Sequence, residues 1–170
     1  GTSSCSHTIE NFGDLVIYPV PTPTPSPTPT PTPVAIAAGT CISSWGTLGS
    51  GQSQFDGPYG IAVSDSGYIY VADRGSNRIK KFNLSGDYIS EWDARTNYEV
   101  AVDSDDNVYV TGDYTVRKYN STGALLAEWG SSGTGNGQFA THTVGIAIDS
   151  DGNVYVSSDS RVQKFNASGI

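Results

Sequence analysis

Methionine is missing from the 170 residues, and histidine and cysteine occur only twice each. Two histidines as far apart as His7 and His142 cannot form the clustered ligand set of a transition-metal centre, so neither a metal nor a cofactor is expected. Positive charge is scarce too: 9 Lys and Arg stand against 17 Asp and Glu, a net charge of −8. A surface that grips phosphates needs a Lys/Arg stripe, so a nucleic-acid partner is not expected, and an anionic membrane is disfavoured for the same reason. No stretch approaches the ~20 apolar residues of a membrane span. The longest apolar run near the start is Leu15-Val16-Ile17-Tyr18.

The apolar fraction, 36%, is low for a globular chain, partly because residues 21–33 add nothing to a core. They read PTPTPSPTPTPTP. Proline at every second position fixes φ and holds each preceding residue extended. The expected form is a polyproline II rod of roughly 40 Å at about 3.1 Å per residue. Its hydroxyls, on Thr22, Thr24, Ser26, Thr28, Thr30 and Thr32, point all round the rod and are O-glycosylation candidates; the alternative is a bare spacer. The chain therefore divides into an N-terminal tail (1–20), the linker (21–33) and a folded region (34–170).

Cys5 and Cys41 flank the rod. Beside a Pro/Thr tract they favour an oxidising, extracellular or cell-surface setting, with both cysteines in a disulfide. A bridge within one chain requires the tail to double back along the rod, which its length permits; a bridge between chains requires no return path.

The folded region repeats. Residues 60–82 read GIAVSDSGYIYVADRGSNRIKKF, residues 99–119 read EVAVDSDDNVYVTGDYTVRKY, and residues 145–165 read GIAIDSDGNVYVSSDSRVQKF. Each is an apolar strand, an Asp/Ser turn, a strand centred on Tyr, a second turn and a strand ending Lys-Phe or Lys-Tyr. Turns NLSG, NSTG and NASG follow, and after the first two come strands ISEW (89–92) and LAEW (126–129). ISSW (42–45) is the same element ahead of the first full repeat. Four-stranded antiparallel meanders about 40 residues apart, none able to bury both faces alone, predict an all-β propeller with about three blades per chain.

The first repeat, GIAVSDSGYIYVADRGSNRIKKFNLSG, resembles an NHL repeat, the blade of six-bladed NHL propellers. Phe55, Pro58, Gly60 and the pair Gln138-Phe139 match that pattern; Asn77-Arg78-Ile79 stands where the family has Asn-His-Leu. Some members are lyases that use several channel histidines with a metal, which this sequence lacks, so an enzyme is not expected. With strands lettered a to d from the axis outward, the chain supplies a lone d strand (42–46), two full blades, and a third unit with a, b and c. Such a displaced strand closes a propeller by pairing into the last blade, but three blades are too few for a ring. Either these blades belong to a longer propeller, or ISSW of one chain completes the open blade of another, in a closed dimer or a filament. Leu15, Val16, Ile17 and Tyr18, with Ile42 and Trp45, are the candidate subunit-contact strands; the first four are alternatively a strand laid on their own domain.

The remaining candidates recur with the repeat. Asn83, Asn120 and Asn166 each open an Asn-X-Ser/Thr sequon in the c–d turn, and the same residues also suit a β-turn. DSDDN and DSDGN look like the start of a calcium loop, which makes Asp103, Asp105, Asp149 and Asp151 weak Ca²⁺ candidates; an Asp-capped hairpin turn is the preferred reading. Trp45, Trp92 and Trp129 are expected to pack between blades rather than to stack a ligand. Asp73, Asp113 and Asp159 near b-strand ends are not expected to form an acid/base pair. The expectation is a structural protein assembling head to tail with copies of itself; the alternatives are a binding module for a protein or carbohydrate, and a lyase-like enzyme.

Overall fold

A computed structural model describes Gly39 and residues 41–95, 98–143, 145–158 and 160–170. The chain separates into two compact units, Gly1–Gly39 and Thr40–Ile170. Everything below concerns the second. Cys5, residues 15–18, the Pro/Thr tract and Asp159 lie outside the described residues.

The described fold is all-β, and its strands follow the repeat. A short parallel pair, β1 (Thr47–Leu48) and β2 (Gln54–Phe55), precedes the first blade. That blade is an antiparallel meander of β3 (Pro58–Val63), β4 (Tyr68–Asp73), β5 (Arg78–Asn83) and β6 (Tyr88–Asp93). The second has β7 (Val100–Val102), β8 (Val108–Thr111), β9 (Val116–Tyr119) and β10 (Leu125–Trp129). A second parallel pair, β11 (Ser131–Ser132) and β12 (Gln138–Phe139), leads to the third sheet. This sheet has three strands: β13 (Gly145–Ile148), β14 (Val154–Ser158) and β15 (Arg161–Phe165).

The expected strand at 42–46 is not in any ladder. A d strand exists only against a c strand, and no described c strand is free beside it. Ile42 is 99% exposed, and strand structure begins only at Thr47.

The b strands of the first two blades are mostly apolar because both their faces are covered. On the first blade, Tyr70, Ala72 and Ile79 turn toward the second and pack with Val100, Val108 and Val110. On the second, Tyr109 and Val116 turn toward the third and pack with Val154, Val156, Ile146 and Ile148. The opposite face of the first blade buries Ile69, Val71 and Phe82 under Phe55 from β2. The result is an open, partial propeller whose cores are the seams between blades.

Candidate functional site

Each tryptophan at the end of a d position reaches forward onto the next blade. Trp45 lies against Phe82, Trp92 against Tyr119 and Trp129 against Phe165, with ring centroids 6.4, 6.1 and 6.0 Å apart. The same three indoles cover Gly86, Gly123 and Gly169, the glycines that close the Asn-X-Ser/Thr-Gly turns. A Cβ on these glycines would come 2.8, 2.6 and 2.5 Å from the indole. The tryptophans therefore pack between blades, as their repeat position implies. Trp45 does so although residues 42–46 join no sheet among the described residues.

The sequon asparagines build those turns. Asn83 Oδ1 accepts from the amides of Ser85 and Asp87, Asn120 Oδ1 from those of Thr122 and Ala124, and Asn166 Oδ1 from those of Ser168 and Ile170. This Asx-turn accounts for the recurrence of asparagine without reference to glycans.

Two of the four calcium candidates, Asp103 and Asp149, cap turns. Asp103 accepts from the Asp105 and Asn107 amides, the Asn107 side chain and the Tyr109 hydroxyl, with Lys118 Nζ at 3.5 Å. Asp149 repeats this with Asp151, Asn153, Tyr155 and Lys164. The oxygens of Asp103 and Asp149 are thus bonded within their own turns, while Asp105 and Asp151 contribute backbone amides, and no cluster of three metal-ligating side chains occurs among the described residues. Burial pushes the Asp103 carboxyl up, but the bonds from Asn107 and Tyr109 and the charge of Lys118 hold it below its ordinary value. At Asp149 the Asn153 hydrogen bond leads, and the carboxyl drops to about 2. Ser64 holds this position in the first blade, and the buried Tyr70 hydroxyl has no partner there.

The loops entering the first and third blades are pinned from the c strand. Lys80, with no exposed side-chain surface, lies 3.2 Å from the equally buried Asp73 carboxylate. It also donates to the carbonyls of Gly51 and Gln54. Asp73 in turn accepts from the Asp56 amide and the Ser76 hydroxyl. In the third unit Gln163 takes the place of Lys80, donating to the Gln138 carbonyl and accepting from the Gly137 amide. The Gly-rich stretch 130–137 is thus a blade-connecting loop, and Asp73 is a structural ion-pair member. Asp113 is apart from it, half exposed, with His142 Nδ1 3.5 Å away. His142 stacks between Tyr98 and Tyr114, at 5.3 and 6.1 Å. This rim of aromatic rings continues through Arg74, 4.6 Å over Tyr98, a contact not evident in the repeat pattern because its members come from different loops.

Two surfaces remain open. The outer edge of β15 has no strand beside it among the described residues. Cys41 is a free, exposed thiol whose Sγ is 3.3 Å from the Ser43 carbonyl oxygen.

Comparisons agree with this architecture. The NHL repeat family matches residues 55–82. Protein lin-41 of Caenorhabditis elegans is 41% identical over 56 residues, 33% of this chain and 5% of its own. The E3 ubiquitin-protein ligase TRIM71 of Rattus norvegicus is 38% identical over 53 residues, 31% of this chain and 6% of its own. Among solved structures, a streptogramin B lyase aligns with a TM-score of 0.55 and 22% identity, covering 68% of this chain and 39% of the lyase. The chain thus spans about a twentieth of the curated relatives and well under half of the lyase, and the structural likeness is one of fold. No described helix is long and apolar enough to cross a membrane. The match to the NHL repeat is confined to residues 55–82, within a fold that the Trp-to-Gly seams and antiparallel meanders make an open, partial β-propeller.

Proposed function

We propose that the chain is a non-enzymatic structural protein of the cell exterior, assembling head to tail by lending residues 42–46 as the fourth strand of another copy's third blade. The observation that carries this reading is Trp45. It seats on Gly86 as Trp92 seats on Gly123, while residues 42–46 join no sheet among the described residues. β15 offers the matching open edge, and unpaired edges of this kind recruit strands. The stalk with hydroxyls at Thr22 to Thr32, the sequons at Asn83, Asn120 and Asn166, and Cys5 with Cys41 support an extracellular placement, with glycans along the rod and a disulfide formed between chains. The net charge of −8 and the two histidines of the sequence support this reading over a metal-dependent lyase.

A second reading is favoured by one observation: the chain covers 39% of the lyase it aligns with. On it these blades are part of a longer closed propeller, which presents a face to a protein or carbohydrate.

The test is the light-scattering mass of source-purified protein, with and without reductant. Masses of many chains support assembly, and collapse on reduction assigns Cys5 and Cys41 to an interchain bridge. A single species of one chain plus sugar removes the assembly reading.

A further inference from the structure

Position by position, the three sheets present the same two faces. The forward face, toward the next blade, carries Ala62, Tyr70, Ala72 and Ile79 in the first sheet and Ala101, Tyr109, Thr111 and Val116 in the second. In the third it carries Ala147, Tyr155, Ser157 and Val162. The rear face carries Ile61 and Val63, then Val100 and Val102, then Ile146 and Ile148. Inside the chain, forward faces meet rear faces twice, and both times the meeting is a core cluster.

On the rear face of the first sheet Phe55 covers Ile69, Val71 and Phe82 but leaves Ile61 and Val63 open, and the forward face of the third has no described cover. Ile61 and Val63 are each 61% exposed, whereas their counterparts Ile146 and Ile148 are part of the core cluster beside Tyr109 and Val116. Val162 is 66% exposed, whereas its counterparts Ile79 and Val116 are fully buried. Beside Val162 lies a hollow of about 320 Å³, lined by Gly145, Ala147, Tyr155 and Ser157. At the first seam the corresponding Gly60 admits the backbone of Tyr98 to Val100, to which a Cβ would come within 2.9 Å. A projecting apolar pair thus stands at one end of the chain and a matching hollow at the other.

We propose that Ile61 and Val63 of one copy fill the Gly145–Tyr155–Val162 hollow of a second copy, forming a seam of the kind already present twice within the chain. This rests on the strand-completion reading above and names the face that accompanies the strand. A polar contact goes with it. Lys81, stacked 3.9 Å over Tyr68, donates across the first seam to the Ser121 carbonyl at 3.3 Å. Lys164 is its counterpart, stacked over Tyr155 at 5.2 Å, with its side chain 53% exposed. The carbonyl equivalent to Ser121 is that of Leu84, so Lys164 of one copy donates to Leu84 of the next.

The test uses the full chain with both cysteines changed to serine, carrying either Val63→Cys or Val162→Cys. A short bismaleimide is applied to each variant alone and to their equimolar mixture. Cross-linked dimer in the mixture, at least tenfold above either variant alone, is the expected result. Equal cross-linking within one variant means like faces meet and overturns the proposal, as does no cross-linking in a sample that light scattering finds assembled. Val162→Glu is expected to weaken association at least a hundredfold with an unchanged far-ultraviolet spectrum. Ile42→Pro/Ser44→Pro separates the two ideas. If it abolishes association while Val162→Glu does not, the face is wrong and the strand reading stands. If the unmodified chain stays monomeric at every concentration, both fall.

Discussion

Trp92 lies over Gly123 so closely that a methyl group on the glycine would stand 2.6 Å from the indole. The residue that ends one blade is held by the residue that closes a turn in the next. Neither blade can satisfy the contact by itself.

Gly123→Ala should therefore be costly on two counts. The residue has φ of +89°, a region that penalises a Cβ by about 1–2 kcal/mol, and the added methyl overpacks the indole for about 1–3 kcal/mol more. A loss of roughly 2–5 kcal/mol is expected from urea unfolding midpoints. Alanine at the neighbouring exposed Thr122 serves as the control and should cost less.

Ser64→Asp should stabilise the first blade. The second and third blades pair an aspartate with the b-strand tyrosine hydroxyl, at 3.0 and 2.9 Å, while the Tyr70 hydroxyl is buried without a partner. Burial, with the Asp106 charge, already raises the Tyr70 phenol to about 12, so it stays a donor over the working pH range. Supplying its acceptor is expected to add about 1 kcal/mol, read as a rise in thermal midpoint. Ser64→Asp combined with Tyr70→Phe should lose that gain.

Lys80→Met should strand Asp73. Both side chains have no exposed surface, and removing one partner of a buried pair costs about 3–5 kcal/mol. The loop at Gly51 to Gln54 also loses its tie, so amide exchange should accelerate there before it does in β4. Unchanged exchange in the loop would mean that Lys80 does not hold it.

Stability should fall in acid in a specific window. Asp103 and Asp149 have folded-state pKa values below the ordinary 3.8, that of Asp149 at about 2. A depressed carboxylate stabilises the fold above its unfolded pKa and loses this contribution as pH falls through the folded value. The unfolding midpoint should thus be level above pH 5 and drop between about pH 4 and 2. Asp149→Asn should flatten the curve in that window.

The repeat made the blades legible from the sequence, because Tyr70, Tyr109 and Tyr155 recur in the same frame and announce buried b strands. The packing role of Trp45, Trp92 and Trp129 followed from the same recurrence. What the pattern did not reveal comes from departures and from long-range meetings. Isoleucine and tryptophan in ISSW read as a strand, yet a strand depends on a partner edge that the described residues do not supply. Lys80 in KK looks like surface charge, since its burial depends on the loop carbonyls of Gly51 and Gln54, far away in sequence. The DSDDN turns resembled calcium loops because the same aspartate that caps a turn can bind a cation; only the hydrogen bonds to Asn107 and Tyr109 separate the two.

Because each tryptophan fastens the blade behind it to the one ahead, the unit that can be gained or lost runs from one tryptophan to the next, not from one blade to the next. Excising residues 46–92 would bring Trp45 to the place Trp92 now occupies, over Gly123. Unequal exchange between repeats can therefore change the number of blades without redesigning that joint.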